Sequence, residues 1–488
     1  MKKIILLLTS FLALALTGSA KVWLPSFFSD NMVLQQQTEA PLWGTAQART
    51  RVTAKPSWTE QTYSTRSDDN GNWKLTLPTP EAGGPYSIVV SDGDKTTLRN
   101  VLIGEVWLCS GQSNMEMPVC GFDNQPVIGS GTDILHSTNP QIRLFTVARN
   151  PQAEPQADVT GEWSEATPKS VRDFSAVAYY FGRTLQQLTG VPVALIHSSW
   201  GGSGCETWMP DATAEAYGLR LPVTNADITN DNHTPTALYN GMIAPFAGMA
   251  LRGVVWYQGE DNLNRYKDYA LQFKAMVEGW RSEWKRDDFP FIYCQIAPFD
   301  YTLFEGSSGY HFPNSAYLRE QQSIAERIIS NAYMAVLTDI GTKIYIHCPD
   351  KHTVGERLCR LALNKVYGWE GLTAESPRYE GYEIKDGKII VSFSHCAAGL
   401  HGKGYYGSKL FEIAGADSIF HPASAWVHAN TVVVSSPDVP EPVAARYAFQ
   451  HWAEGDLWCE DLPLPSFRTD DWDLPKDYPS DQGPYGAK

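Results

Sequence analysis

Four short segments carry groups suited to chemistry: GQSNM from Gly111, SWGGSG from Ser199, YQGEDN from Tyr257 and DIGTKIYIHCPDKH from Asp339. Together they hold a hydroxyl, glycine N–H groups, a side-chain amide and a histidine, which is what acyl transfer requires. Ser113 attacks a carbonyl carbon only if a base takes its proton, and His347 and His352 are the candidate bases. The competing assignment for Ser113 is a helix N-cap, a position serine favours without any catalysis. Gly201 and Gly202 either mark a tight turn or let backbone N–H groups approach a developing oxyanion, and Gln258 offers a further amide donor.

Each segment follows an apolar, strand-like run: VLIGEVWLC, VPVALIHSS, GVVWYQ and AYMAVLT. In open α/β sheets the reactive crevice lies beyond the carboxyl ends of the strands, so these four places meet if the runs share one parallel sheet. Helical patterns alternate with them. In DFSAVAYYFGRTLQQLTG the apolar residues Phe174, Val177, Ala178, Phe181, Leu185 and Leu188 keep helical spacing, and Gly190 sits where a helix would stop. Tyr269, Phe273, Met276, Trp280 and Trp284 make a second such face, followed by strand-like PFIYCQIA; LREQQSIAERI and TVGERLCRLALNKVYG make two more. Alternating strands and helices predict βαβ units and a mainly parallel sheet covered on both faces, over residues 101–370. Residues 21–100 and 371–470 read instead as β domains of short alternating strands. Asn70 with Gly71 and Asp386 with Gly387 are hairpin signals in them. The Pro-, Asp- and Gly-rich tail, 471–488, reads as extended.

Residues 1–20, MKKIILLLTSFLALALTGSA, have a basic start, an apolar stretch and small residues ending at Ala20, the pattern of a secretory signal; the expected location is periplasmic or secreted. The formal charge of −15, from 39 basic and 54 acidic residues, argues against nucleic acid and anionic membrane surfaces as partners. Sixteen tryptophans and 23 tyrosines supply core material and flat faces on which sugar rings stack. The eight cysteines stand singly, without CxxC spacing, and read as structural thiols or one or two bridges. The histidines show no HExxH or paired ligand spacing, so no metal or organic cofactor is expected.

The ordered set GQSNMEMP, SSWGGSGCETWMP, YNGMIAPF, WYQGEDN, LREQQ, TDIG, KHTVGERL and SFRTDDW resembles the sialate O-acetylesterase-like family of SGNH-type hydrolases over nearly the whole chain after residue 20. The resemblance implies a flavodoxin-like three-layer catalytic domain carrying an N-terminal and a C-terminal β domain. It implies hydrolysis of acetyl esters on sialic acid or other acetylated glycans. Carried over by position, Ser113 is the nucleophile, its N–H and that of Gly202 form the oxyanion hole with the Gln258 amide, and His347 takes the base position. His352 falls where the family has another polar residue. Glu206 and Trp208, just after the glycines, are candidates for the rim of the substrate cleft, with plain packing as the other reading. Many SGNH hydrolases place an aspartate three residues before the histidine; here Ile344 stands there. That leaves Asp339, Glu260, a backbone carbonyl or nothing to orient the imidazole. An acetylxylan or other hemicellulose esterase is the nearest alternative activity, and a glycan-binding protein with weakened catalysis the alternative of another kind.

Overall fold

The computed structural model describes residues 21–304, 311–403 and 406–472. The expected secretory signal lies outside them, as does the tail beyond Trp472.

The central sheet contains β1 (Lys95–Gly111), β2 (Asn139–Thr146), β3 (Trp163–Ala166), β4 (Val193–Ser199), β5 (Gly253–Tyr257), β6 (Phe291–Cys294) and β7 (Ala332–Ala335). Their order is β7-β6-β5-β1-β4-β2-β3, parallel except for β3, which pairs antiparallel with β2 at the edge. Without that edge pair the order is that of a flavodoxin-like doubly wound sheet, whose direction of winding reverses between β1 and β5. Nothing in the sequence reading anticipated β2 and β3; in β2 the apolar run Ile142, Leu144, Phe145 is broken by Arg143, which is itself buried on carbonyl groups of Asn31, Asn100 and Pro140.

Helices cover both faces. The first after β1 is the single turn α1 (Ser113–Glu116); then come α2 (Ala176–Thr189), α3 (Tyr269–Trp284), α4 (Ala316–Ile328) and α5 (Lys351–Lys365). α2 ends with Gly190 in the left-handed region at φ 70°, as the sequence predicts. On α3 the five aromatic and methionine side chains of the predicted face are all buried, each stabilising the fold by about 2 kcal/mol. One core cluster joins α3, one face of the sheet and the N-terminal β domain, from Phe27 and Phe28 to Trp256 and Trp280; a second fills the face under α2 and α5.

The expected boundary near residue 100 falls inside β1. This 17-residue strand pairs antiparallel with Gly83–Ser91 in its first half and enters the central sheet with its second, from Glu105 on. The N-terminal β domain therefore shares both a strand and a core with the catalytic sheet. The Asn70 and Gly71 turn exists, with Gly71 at φ 86°, but it does not close a hairpin: Tyr63–Arg66 pairs with Arg51–Pro56, and Asn72–Pro78 with Glu39–Thr45. The Asp386 and Gly387 turn does join paired strands, Arg378–Lys385 and Lys388–Ser394. The C-terminal β domain has its own core around Ile389, Val391, Phe411 and Tyr447, and it docks beside the end of β7, where Gly455 N–H donates to the Thr338 carbonyl at 2.9 Å.

Candidate active site

Ser113 opens α1 immediately beyond the carboxyl end of β1. The cap position belongs to Gln112, so Ser113 is the first helical residue rather than the N-cap. Gln112 is occupied elsewhere, its Oε1 accepting from the N–H groups of Gly259 at 3.0 Å and Asp261 at 3.3 Å, which ties the loop after β1 to the loop after β5. The Ser113 N–H, like other first-turn donors, has no acceptor within its helix. Beside it lies the loop after β4. Trp200 N–H donates to the Gly111 carbonyl at 3.1 Å, and a Cβ on Gly201 would stand only 3.2 Å from the Ser113 Cβ and 2.9 Å from the Glu116 carboxylate, so a side chain there would press on both. Gly202 follows at φ 66° in the left-handed region, and Asn232 Nδ2 holds the Gly201 and Gly202 carbonyls at 2.8 and 3.0 Å. With those carbonyls fixed, the Gly202 N–H is left without an acceptor among the described residues.

His347 reaches the same place from the segment after β7. Asn114, next to the serine, donates through Nδ2 to the Ile346 carbonyl at 3.1 Å and to Glu260, and accepts the Lys351 ammonium on Oδ1. A buried carboxylate and a buried ammonium thus flank one amide; desolvation pushes the Glu260 pKa up and the Lys351 pKa down, each toward its neutral form. α5 starts at Lys351 because Asp350 caps it, accepting the Thr353 N–H at 3.0 Å. The His347 Nδ1 lies 2.8 Å from the Gln125 Oε1. An amide oxygen only accepts, so Nδ1 carries the hydrogen and Nε2 keeps its lone pair. Burial, with the nearby Lys351 charge second, lowers the His347 pKa to about 4, which keeps it a neutral base. His352 is the second residue of α5, with Nδ1 3.7 Å from Glu356 and its ring against Tyr180, on the side of α5 that meets α2.

The remaining expected residues have other duties. Gln258 is fully buried and both hydrogens of its amide are spent, on the Ser203 carbonyl at 3.0 Å and the Asn262 Oδ1 at 2.7 Å; it fastens the glycine turn from behind. Trp208 is fully buried, its Nε1 donating to Ser203 Oγ at 2.9 Å and its ring packed edge-on to Trp256, so it is core and not cleft rim. Glu206 pairs with Arg265 at 2.8 Å through one oxygen and accepts from Asn262 at 3.0 Å on the other, so both oxygens are engaged within the protein. Asp339 receives the Arg357 fork at 2.7 Å on both oxygens and Trp458 Nε1 at 3.1 Å, and Ile344 is 64% exposed.

Sequence reasoning missed four contributors. Gln125 gave no signal, standing 222 positions from its histidine. Glu116 accepts the Gly201 N–H at 2.8 Å and pairs with Arg149, whose guanidinium lies 4.8 Å from the centre of the Trp200 ring. Glu116 and Trp200 lie inside motifs already quoted, where they passed as flanking residues. Among the described residues no group of three or more His, Cys, Asp or Glu is placed to hold a metal ion, and no helix is long and apolar enough to cross a membrane. All eight cysteines are free thiols, seven of them buried.

A hydroxyl, a neutral imidazole and unpaired backbone donors beyond the carboxyl ends of a doubly wound sheet are the equipment of an acyl hydrolase. The chain belongs to the carbohydrate esterase, sialic acid-specific acetylesterase family, whose profile matches residues 103–363. It is 29% identical to the human sialate O-acetylesterase, over 94% of this chain and 93% of that protein, and 30% identical to that of Rattus norvegicus, over 74% and 76%. Among solved structures it is similar to a carbohydrate acetylesterase from Xanthomonas citri, at 36% identity and a TM-score of 0.83, covering 92% of this chain and 100% of that one. The protein is a carboxylic ester hydrolase of the carbohydrate O-acetylesterase kind.

Proposed function

We propose that the protein is exported and removes acetyl groups from O-acetylated sialic acid, the 9-O-acetyl ester first, through a serine acyl-enzyme. The observation that supports this reading is that the segments carrying Ser113, Gly202 and His347 are tied together, Asn114 donating to the Ile346 carbonyl and Gly201 lying against Ser113, with the imidazole held in the tautomer that leaves Nε2 free to accept a proton. Ser113 Oγ attacks the acetyl carbon while His347 Nε2 takes its proton. The oxyanion is received by the N–H groups of Ser113 and Gly202, and Gln258 supports that turn through Ser203. The imidazolium returns the proton to the departing sugar alcohol; water then attacks the acyl-enzyme by the same route, and acetate leaves. The basic and apolar run of residues 1–20 supports export.

The test is acetate release by the mature protein from 9-O-acetylated sialic acid and from acetylated xylan, side by side. The second substrate is included because the Xanthomonas relative is described only as a carbohydrate acetylesterase. Release from sialic acid, lost in Ser113→Ala and in His347→Ala, is the expected result; release from xylan alone would keep the chemistry and replace the substrate.

A further inference from the structure

The two carboxylates considered as the partner of the histidine bond elsewhere: Asp339 to Arg357 and Trp458, and Glu260 through one oxygen to Asn114. What does meet the imidazole is the side-chain amide of Gln125. Its placement is built. Phe122 and Gln125 exchange two backbone hydrogen bonds of 3.0 Å each, and Asn124 between them adopts φ 59°. Ile128 N–H donates to the Pro349 carbonyl at 3.0 Å, fastening this turn to the segment that carries His347. The Phe122 ring stands edge-on to the imidazole at 5.0 Å, so one turn supplies both the hydrogen-bond acceptor and a wall.

We propose that Gln125 is the positioning residue of the catalytic histidine, a neutral amide occupying the place of the usual triad carboxylate, and that the esterase works as a Ser113–His347–Gln125 triad. The proposal rests on the reading of Ser113 and His347 as nucleophile and base. An amide oxygen performs half of what a carboxylate does: it fixes the ring and the tautomer, but it brings no negative charge to the imidazolium formed during attack. The charged group facing His347 is Lys351 from α5, which acts in the opposite sense, and the Phe122 ring on the other side is apolar. The enzyme therefore operates with a weak base that stays unprotonated in acid.

The experiment compares Gln125→Leu, which cannot accept, with Gln125→Glu, which accepts and adds the charge; Ser113→Ala and His347→Ala run beside them, with the His347 ring titrated by NMR in each folded protein. For Gln125→Leu, kcat should fall about 10- to 1000-fold with KM nearly unchanged. Gln125→Glu should recover most of that loss and move both the acid limb of kcat/KM and the NMR titration of His347 up by about 1–2 pH units, because an adjacent carboxylate favours the imidazolium. A kcat within twofold of the parent in Gln125→Leu, or a His347 titration that does not move in Gln125→Glu, would overturn the role of Gln125 if the serine and histidine variants are inactive. Activity persisting in those two variants would overturn the triad together with the reading beneath it.

Discussion

Two neighbouring strand-end regions differ in how they use their polar groups. Behind the glycine turn, Gln258, Asn262, Glu206 and Arg265 bond to one another: Asn262 accepts from Cys205 N–H and Gln258 and donates to Glu206 and Gln272, and Arg265 pairs with Glu206. Around α1 the N–H groups of Ser113 and Gly202 and the Nε2 of His347 have no partner among the described residues, while Asn232 holds the glycine turn and Gln125 holds the imidazole. Two unspent N–H groups and one imidazole lone pair on half-buried residues, beside a bonded network, are the groups that acyl transfer needs within reach of a substrate. Nearness in sequence to a catalytic motif is thus a poorer guide to function than unspent hydrogen-bonding capacity.

Substitutions on the two sides sharpen that contrast. The largest effect belongs to the sparse side: Ser113→Ala and His347→Ala should each lower kcat/KM at least ~1000-fold, about 4 kcal/mol, with melting temperatures nearly unchanged. On the saturated side the damage goes to stability. Trp208→Ala empties a fully buried site and should cost about 3–5 kcal/mol in urea unfolding, and a raised KM at unchanged stability would instead return Trp208 to the cleft. Glu206→Gln leaves Arg265 with Asp261 as its remaining carboxylate and should cost only about 1–2 kcal/mol, with KM within roughly twofold of the parent.

Much of this was legible in the chain because it is locally encoded. Helical periodicity placed α2 and α3, and apolar runs followed by glycine, serine and amide residues marked the strand ends after which Ser113, Gly202 and His347 stand. What escaped is non-local. The Asn70 and Gly71 turn is written in two residues, but the partners of its flanking strands depend on which faces pack: Trp73, Leu75 and Leu77 are buried where Asn72–Pro78 lies along Ala40 and Leu42. Trp208 and Glu206 looked like rim residues because sequence places them beside the glycines, whereas the turn Cys205–Trp208 directs them inward against Trp256 and Arg265. The acceptor for His347 was sought at Asp339, at Glu260 or at a backbone carbonyl, and a different loop brings a side-chain amide to it.

The smallest expected effect is also diagnostic. In the proposed mechanism His347 must be neutral to accept the Ser113 proton, and burial holds its pKa below the ordinary histidine value, at about 4. Activity should therefore be present above that pH and lost only as the pH falls through it. Between about pH 7.5 and about pH 5.5, kcat/KM should change by less than about 10%, whereas a base titrating near the ordinary 6.5 would lose roughly tenfold over the same interval. A tenfold loss would mean that the imidazole is stabilised as a cation by a carboxylate or by solvent, and that the sparse side of the site is better supplied with charge than its hydrogen bonds indicate. A flat profile would leave burial and Lys351 as the groups that set the base, as the geometry around His347 requires.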